Sequence, residues 1–144
     1  MKNNKKKKSG FTLVELLVVL VILMVIGMIA VQNFSGEADK AKVKATKTSI
    51  AQIETSLERF KLDVGRYPTQ DEGLIALIEA PSGTEDKWAG KYLAKKRSLR
   101  DAWDHPFRYT SPGPEGEAFE ILSFGADGKE GGEKINADLS SVED

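Results

Sequence analysis

Between Phe11 and Val31 the chain reads FTLVELLVVLVILMVIGMIAV, and Thr12 and Glu15 are its only polar side chains. No other feature narrows the possible folds as much. At about 1.5 Å per residue, a helix of this length spans roughly 30 Å, the thickness of a membrane's hydrocarbon layer. A helix buried in a soluble core would carry a polar stripe, and this stretch has none. Length and composition together predict a membrane-spanning helix. Five of the 21 basic residues (Lys2, Lys5, Lys6, Lys7, Lys8) precede it, and the next is Lys40. That asymmetry predicts a cytoplasmic N-terminus. A cleaved secretory signal fits less well, because its apolar core is usually about 7–15 residues and an A-x-A-like site follows. The sequence MIAVQNFSGEADK offers no such site. A plain signal anchor stays open on these grounds.

Glu15 stands inside the run. A carboxylate within the hydrocarbon costs about 2.5–3.5 kcal/mol, so it needs a partner or must reach back to the interface. Its position, little more than a turn inside, permits the second. The stretch KSGFTLVEL around it resembles the signal of type IV pilins and pseudopilins: a basic leader ending in Gly, then Phe, then Glu at the fifth mature position. The resemblance implies that a prepilin peptidase cuts between Gly10 and Phe11 and that the new amino terminus on Phe11 is N-methylated. It also implies an assembly role for Phe11 and Glu15. The cut creates a cationic amine on Phe11, which can pair with Glu15 of a neighbouring subunit in low dielectric and set the axial register of a filament.

Beyond Gln32-Asn33, Val43, Thr46, Ile50, Ile53, Leu57, Phe60 and Val64 follow in steps of three and four. This is the spacing of one helical face. Gly65 suits the position just past a helix end. The pattern predicts one helix from about residue 12 to 64, apolar all round at first and then on one stripe against a globular head. Many pilin-like proteins carry a proline where this chain has Gln32, so a proline kink is not expected here. Thr69 and Glu72 are spaced as a capping box, opening a short helix through Leu74, Leu77 and Ile78. Strand candidates follow at Lys91–Leu93, Phe107–Thr110 and Phe119–Phe124, the last two joined by the turn-rich SPGPEGE. Trp88, Tyr92, Trp103, Phe107 and Tyr109 are expected in the core or at its edge, and His105, before Pro106, in a turn. The fold class is α+β: a long N-terminal helix on a small head with a short antiparallel sheet and a C-terminal loop. Three segments are expected: a cleaved basic leader (1–10), a transmembrane and assembly helix (11–31), and a pilin-like periplasmic head with the amphipathic half of the helix (32–144).

The segments FKLDVGRYPTQDEGLIALIEAP, W-x-G-x-Y-L and SFGADGKEGGEKINADL are similar to the major pseudopilins of type II secretion systems. The resemblance runs from Lys8 to about Ser140. It implies a filament subunit in the periplasm, anchored in the inner membrane before assembly, which assists export of folded proteins across the outer membrane. Implied partners are further copies of the chain, minor pseudopilins, the prepilin peptidase and the inner-membrane assembly platform. In DAWDHPFRY the family usually has Pro and Gly where this chain has Ala102 and Asp104, which bears on turn geometry. A type IV pilin of a surface or DNA-uptake fibre is the alternative within the superfamily; disulfide-looped pilins would show a cysteine pair, and this chain has no cysteine. A signal-anchored periplasmic calcium-binding module is the alternative of another class.

The tail from Ser123 to Asp138 is rich in Gly, Asp and Glu. Such composition suits calcium, which takes six to eight oxygens, and equally a solvated acidic loop. The family resemblance implies calcium there, held by Asp127, the carbonyl of Phe124, and Asn136 or Asp138. Lys134 stands where relatives can supply another acidic ligand. Either calcium binds regardless, or the Lys134 ammonium partly replaces it. Glu54 and Glu58 lie four apart on the helix, and Lys95, Lys96, Arg97 and Arg100 form a basic cluster. These are either two solvated faces or, with Arg97, contacts between subunits. Without residues 1–10, 16 basic side chains face 22 acidic ones, and nothing suggests nucleic-acid binding. With one histidine and no nucleophile–base pair or phosphate loop in view, no catalysis is expected.

Overall fold

The structure, a computed structural model, describes residues 10–142, and of residues 30–35 the backbone alone. The leader lysines and the Gln32 side chain therefore lie outside the described residues. Helix α1 covers Leu13–Val64, within a residue of the expected bounds, and its backbone is helical through position 32. The chain divides into two compact units, residues 1–38 and 39–144.

In the first unit, Thr12 precedes the helix and its Oγ1 accepts the Glu15 backbone N–H at 3.2 Å. This caps one of the donors that a helix start leaves unpaired. Every described apolar side chain from Phe11 to Ile29 is exposed, Leu13 at 81% and Met28 at 70%. Among the described residues no helix is long and apolar enough to cross a membrane.

In the second unit α1 supplies the floor of the core. Thr46, Ile50, Ile53, Leu57, Phe60 and Val64 are buried, with Ile53, Leu57 and Phe60 fully inaccessible; each such side chain is worth about 1.5–3 kcal/mol of burial. Val43, at the start of the stripe, is only half-buried. Gly65 ends the helix at φ 89°, donating its N–H to the Lys61 carbonyl at 2.8 Å, a left-handed conformation that glycine adopts without steric cost. The capping box forms in both directions: Thr69 N–H to Glu72 Oε2 at 2.8 Å, Glu72 N–H to Thr69 Oγ1 at 3.3 Å. It opens a turn and then the expected short helix, which takes the tighter 3-10 form at Leu74–Leu77. Leu74, Ala76, Leu77 and Ile78 are buried in the core.

The sheet is antiparallel, in the order β1 (Arg108–Thr110), β2 (Glu120–Ser123), β3 (Leu139–Ser140). Tyr109 and Ile121 stand opposite each other and are both buried, the cross-strand pairing that stabilises a sheet face. Gln70 occupies the free side of β1: its Nε2 donates to the Tyr109 carbonyl and its Oε1 accepts from Ser111 N–H, both at 2.9 Å. A side-chain amide thus satisfies backbone groups that an edge strand would leave open. The expected strand at Lys91–Leu93 does not form. The N–H groups of Tyr92 and Leu93 both go to the Leu77 carbonyl, at 2.9 and 3.1 Å, which docks that segment on the 3-10 turn instead of the sheet. Phe107 and Tyr109 are core residues, Trp88 and Tyr92 pack against the core, and Trp103 is half-buried.

Arg66 grips Glu72 with both guanidinium arms at 2.7 Å. That hydrogen bond, first among the causes, lowers the Glu72 carboxyl from the usual 4.5 to about 2. The full shift corresponds to about 3 kcal/mol; Arg66 is 42% exposed, and solvent screening reduces this to about 1 kcal/mol. A depressed folded-state pKa stabilises above the unfolded value, and the contribution disappears as pH falls from 4.5 through about 2. In urea unfolding, wild type should lose about 1 kcal/mol more than Glu72→Gln across that window; equal losses would contradict this account of the ion pair.

Candidate functional site

The residues singled out in the sequence fall into three places, and the structure treats each differently. At the start of α1 the Glu15 carboxylate meets no cation or donor among the described residues; Thr12 caps its backbone N–H. Phe11, 78% exposed, and Gly10 precede the helix.

On the second unit the acidic and basic candidates line separate grooves. Glu54 and Glu58 border one of about 310 Å³ with Tyr67, Glu117, Phe119 and Val142. Burial, and next the Glu58 charge, push the Glu54 carboxyl up, while Glu58 accepts the Tyr67 hydroxyl at 2.5 Å. Arg97 borders another groove of about 310 Å³ with Ser49, Gln52, Lys95 and Arg100. Arg97 makes no ion pair with Glu54 or Glu58 within its own chain.

The C-terminal loop leaves β2 at Ser123 and returns at β3. Phe124 is half-buried and Asp127 exposed. Asp127 Oδ1 accepts Lys129 N–H at 3.2 Å, and Asp138 Oδ2 accepts Gly131 N–H at 2.9 Å. Asp138 Oδ1 is buried with no hydrogen-bond partner, a costly state for a carboxylate oxygen. Lys134 is exposed, takes φ 58°, and joins none of the described ion pairs. Its ammonium therefore does not compensate Asp138. Among the described residues no three His, Asp or Glu side chains gather as a metal-binding group. An ion here would draw most of its oxygens from backbone carbonyls. The two arms of the loop also pass closely at Gly125: a Cβ there, at φ 63°, would sit 2.7 Å from the Ile135 carbonyl oxygen, which accepts Ala126 N–H, and 2.9 Å from that of Ala137. Only glycine fits.

The loop rests on a cluster that sequence reasoning missed. The Asp101 side chain is wholly buried; Oδ1 accepts the N–H groups of Trp103 and His105, each at 2.9 Å, and Oδ2 accepts the Ser123 hydroxyl at 2.6 Å. Ser123 Oγ in turn accepts Gly125 N–H at 3.3 Å, and His105 Nδ1 lies 3.1 Å from the Gly125 carbonyl. Thr46 on α1 holds the same turn by accepting Ala102 N–H at 3.2 Å. The turn forms with Ala102 and Asp104 in it. Asp104 adopts φ 70°, where glycine would sit without cost and where aspartate is among the better-tolerated alternatives. The Asp-x-Trp and Asp-x-x-x-His spacing is the local signal of such a side-chain-closed turn; its link to Ser123, 22 residues on, carries none.

Comparison with known proteins identifies the family. The type II secretion system protein G family matches residues 33–142, and the prokaryotic N-terminal methylation motif matches residues 5–31. The chain belongs to the type II secretion system protein G family. Among curated members, the type II secretion system core protein G of Vibrio cholerae is 39% identical over 138 residues, covering 94% of this chain and 92% of that one. That of Pseudomonas aeruginosa is 38% identical, covering 95% and 96%. The crystal structure of the major pseudopilin from the type 2 secretion system of enterohaemorrhagic Escherichia coli superposes with a TM-score of 0.58 at 27% identity, over 76% of this chain and 93% of that one. The long helix, the three-stranded antiparallel sheet and the C-terminal loop are thus the protein G fold.

Proposed function

We propose that this member of the protein G family is the major structural subunit of a type II secretion pseudopilus, a periplasmic filament that assists export of folded proteins across the outer membrane. One observation carries the reading: the apolar side chains from Phe11 to Ile29 are all exposed, far beyond the patch size a soluble monomer tolerates. Such a surface needs lipid before assembly and neighbouring helices after it. The precursor spans the inner membrane once, N-terminus in the cytoplasm, in keeping with the lysine-rich residues 2–8. Prepilin peptidase cuts between Gly10 and Phe11, and Phe11 is N-methylated. The Phe11 amine then pairs with the unpartnered Glu15 of a neighbour, and minor pseudopilins and the assembly platform complete the machine. The polymer is the working object, with no catalytic residue involved.

Arg97 and the pair Glu54–Glu58, held in separate grooves of one chain, meet between adjacent subunits. An incoming guanidinium would relieve the repulsion that helps raise the Glu54 carboxyl. Calcium binds the C-terminal loop through Asp127, Asp138, the Phe124 carbonyl and Asn136; the buried, donorless Asp138 Oδ1 is the feature that fits it. The ion supplies positive charge and cross-links two ends of the loop.

Mass spectrometry of the chain from assembling cells should show residues 1–10 removed and a methylated Phe11. An intact N-terminus would overturn the reading. Arg97→Glu should depress filament yield, and adding Glu54→Arg should restore it in part; a yield unchanged by Arg97→Glu removes that contact.

A further inference from the structure

We propose that Asp101, Ser123 and His105 form a positioning relay that aims the Phe124 carbonyl into the C-terminal loop and thereby sets that loop's affinity for a divalent cation. The inference rests on the calcium reading above and adds the residues that would tune it. None of the three touches the ion; each acts through the peptide units around Gly125.

The geometry begins in the peptide plane. The Phe124 carbonyl and the Gly125 N–H belong to one planar trans unit and point in opposite directions. Ser123 Oγ holds that N–H at 3.3 Å, so the hydroxyl fixes where the carbonyl points. The hydroxyl has no freedom of its own, because it is fully buried and spends its proton on Asp101 Oδ2 at 2.6 Å. Asp101 is fixed in turn by the N–H groups of Trp103 and His105. The next peptide unit is held from the other side. A carbonyl oxygen can only accept, so His105 Nδ1 carries the proton it shares with Gly125 O at 3.1 Å. Asp101 Oδ2 lies 3.9 Å from the same nitrogen, outside hydrogen-bond range. The imidazole also roofs the loop: a Cβ on Gly128 would stand 3.2 Å from the ring. Ala126 N–H, donated to the Ile135 carbonyl at 2.8 Å, ties the same strand of the loop to the arm carrying Asn136 and Asp138. Both peptide units flanking Gly125 are therefore clamped by side chains rooted in the Asp101 turn, and that turn is pinned to α1 by Thr46. A loop that draws most of its oxygens from carbonyls depends on such outer contacts, which typically change metal affinity by about 10–100-fold.

The test is calorimetric titration of the full chain in detergent with calcium, for wild type, His105→Ala, His105→Asn and Ser123→Ala. Near-UV circular dichroism and the melting temperature in chelator report the fold separately. Wild type should take up calcium; His105→Ala and Ser123→Ala should bind about tenfold or more weakly while keeping native dichroism. His105→Asn, whose amide can donate where Nδ1 does, should recover most of the affinity. A merely structural role would lower the chelator melting temperature of His105→Ala and leave calcium affinity unchanged. Folded His105→Ala with wild-type affinity overturns the relay alone, even should Ser123→Ala fail to fold. No uptake by wild type overturns the calcium reading and the relay together.

Discussion

Among the described residues, the apolar side chains from Phe11 to Ile29 are all exposed, and the rest of the structure follows from that constraint. A surface of this kind is stable only in lipid or against other helices. The second half of the same helix solves the opposite problem. Ile53, Leu57 and Phe60 vanish completely under the head, so its stability comes from tertiary burial on one stripe. One helix thus serves two environments, and the change of hydrophobic pattern along it marks where each begins.

Electrostatics are arranged to the same end. Thr12 caps the Glu15 backbone N–H, and the Glu15 carboxylate meets no cation among the described residues. Glu54 and Glu58 share a groove that contains no basic residue, and Arg97 lies in a groove of its own. Arg66 pairs with Glu72 and closes a local turn away from both grooves, whereas Arg100, which borders the Arg97 groove, pairs with Asp104. The loop between β2 and β3 is held chiefly by backbone contacts and by the buried turn at Asp101. Its one conspicuous deficit, Asp138 Oδ1, is of the kind a hard cation corrects.

Much of this is legible in the sequence, for physical reasons that differ by element. The bounds of α1 can be read because a 3.6-residue period persists to Val64 and Gly65 ends it. The capping box at Thr69–Glu72 is read for the same local reason, but the turn it opens tightens to a 3-10 segment as Leu74 and Leu77 are drawn into the core. Short strands are harder. The two-residue β3 has no periodicity to detect, and Lys91–Leu93 has strand-like composition yet gives its donors to a single carbonyl. The candidate ion loop shows in its Gly and Asp content. Its support does not: Asp101, His105 and Ser123 meet only through the fold, and His105 read alone is no more than a turn residue. Thr12 is the remaining case: Thr12 and Glu15 have capping spacing within an apolar run, where the carboxylate is the more conspicuous of the two.

The central claim is that Glu15 is an assembly contact, and replacing it by leucine tests this most directly. A Glu15→Leu chain keeps the apolar length and the Gly10–Phe11 junction, so it should insert in the membrane and lose residues 1–10 as wild type does. With no carboxylate to receive the neighbouring Phe11 amine, it should fail to build filaments when these are counted by electron microscopy. Filaments of normal number and length from that variant would contradict the account.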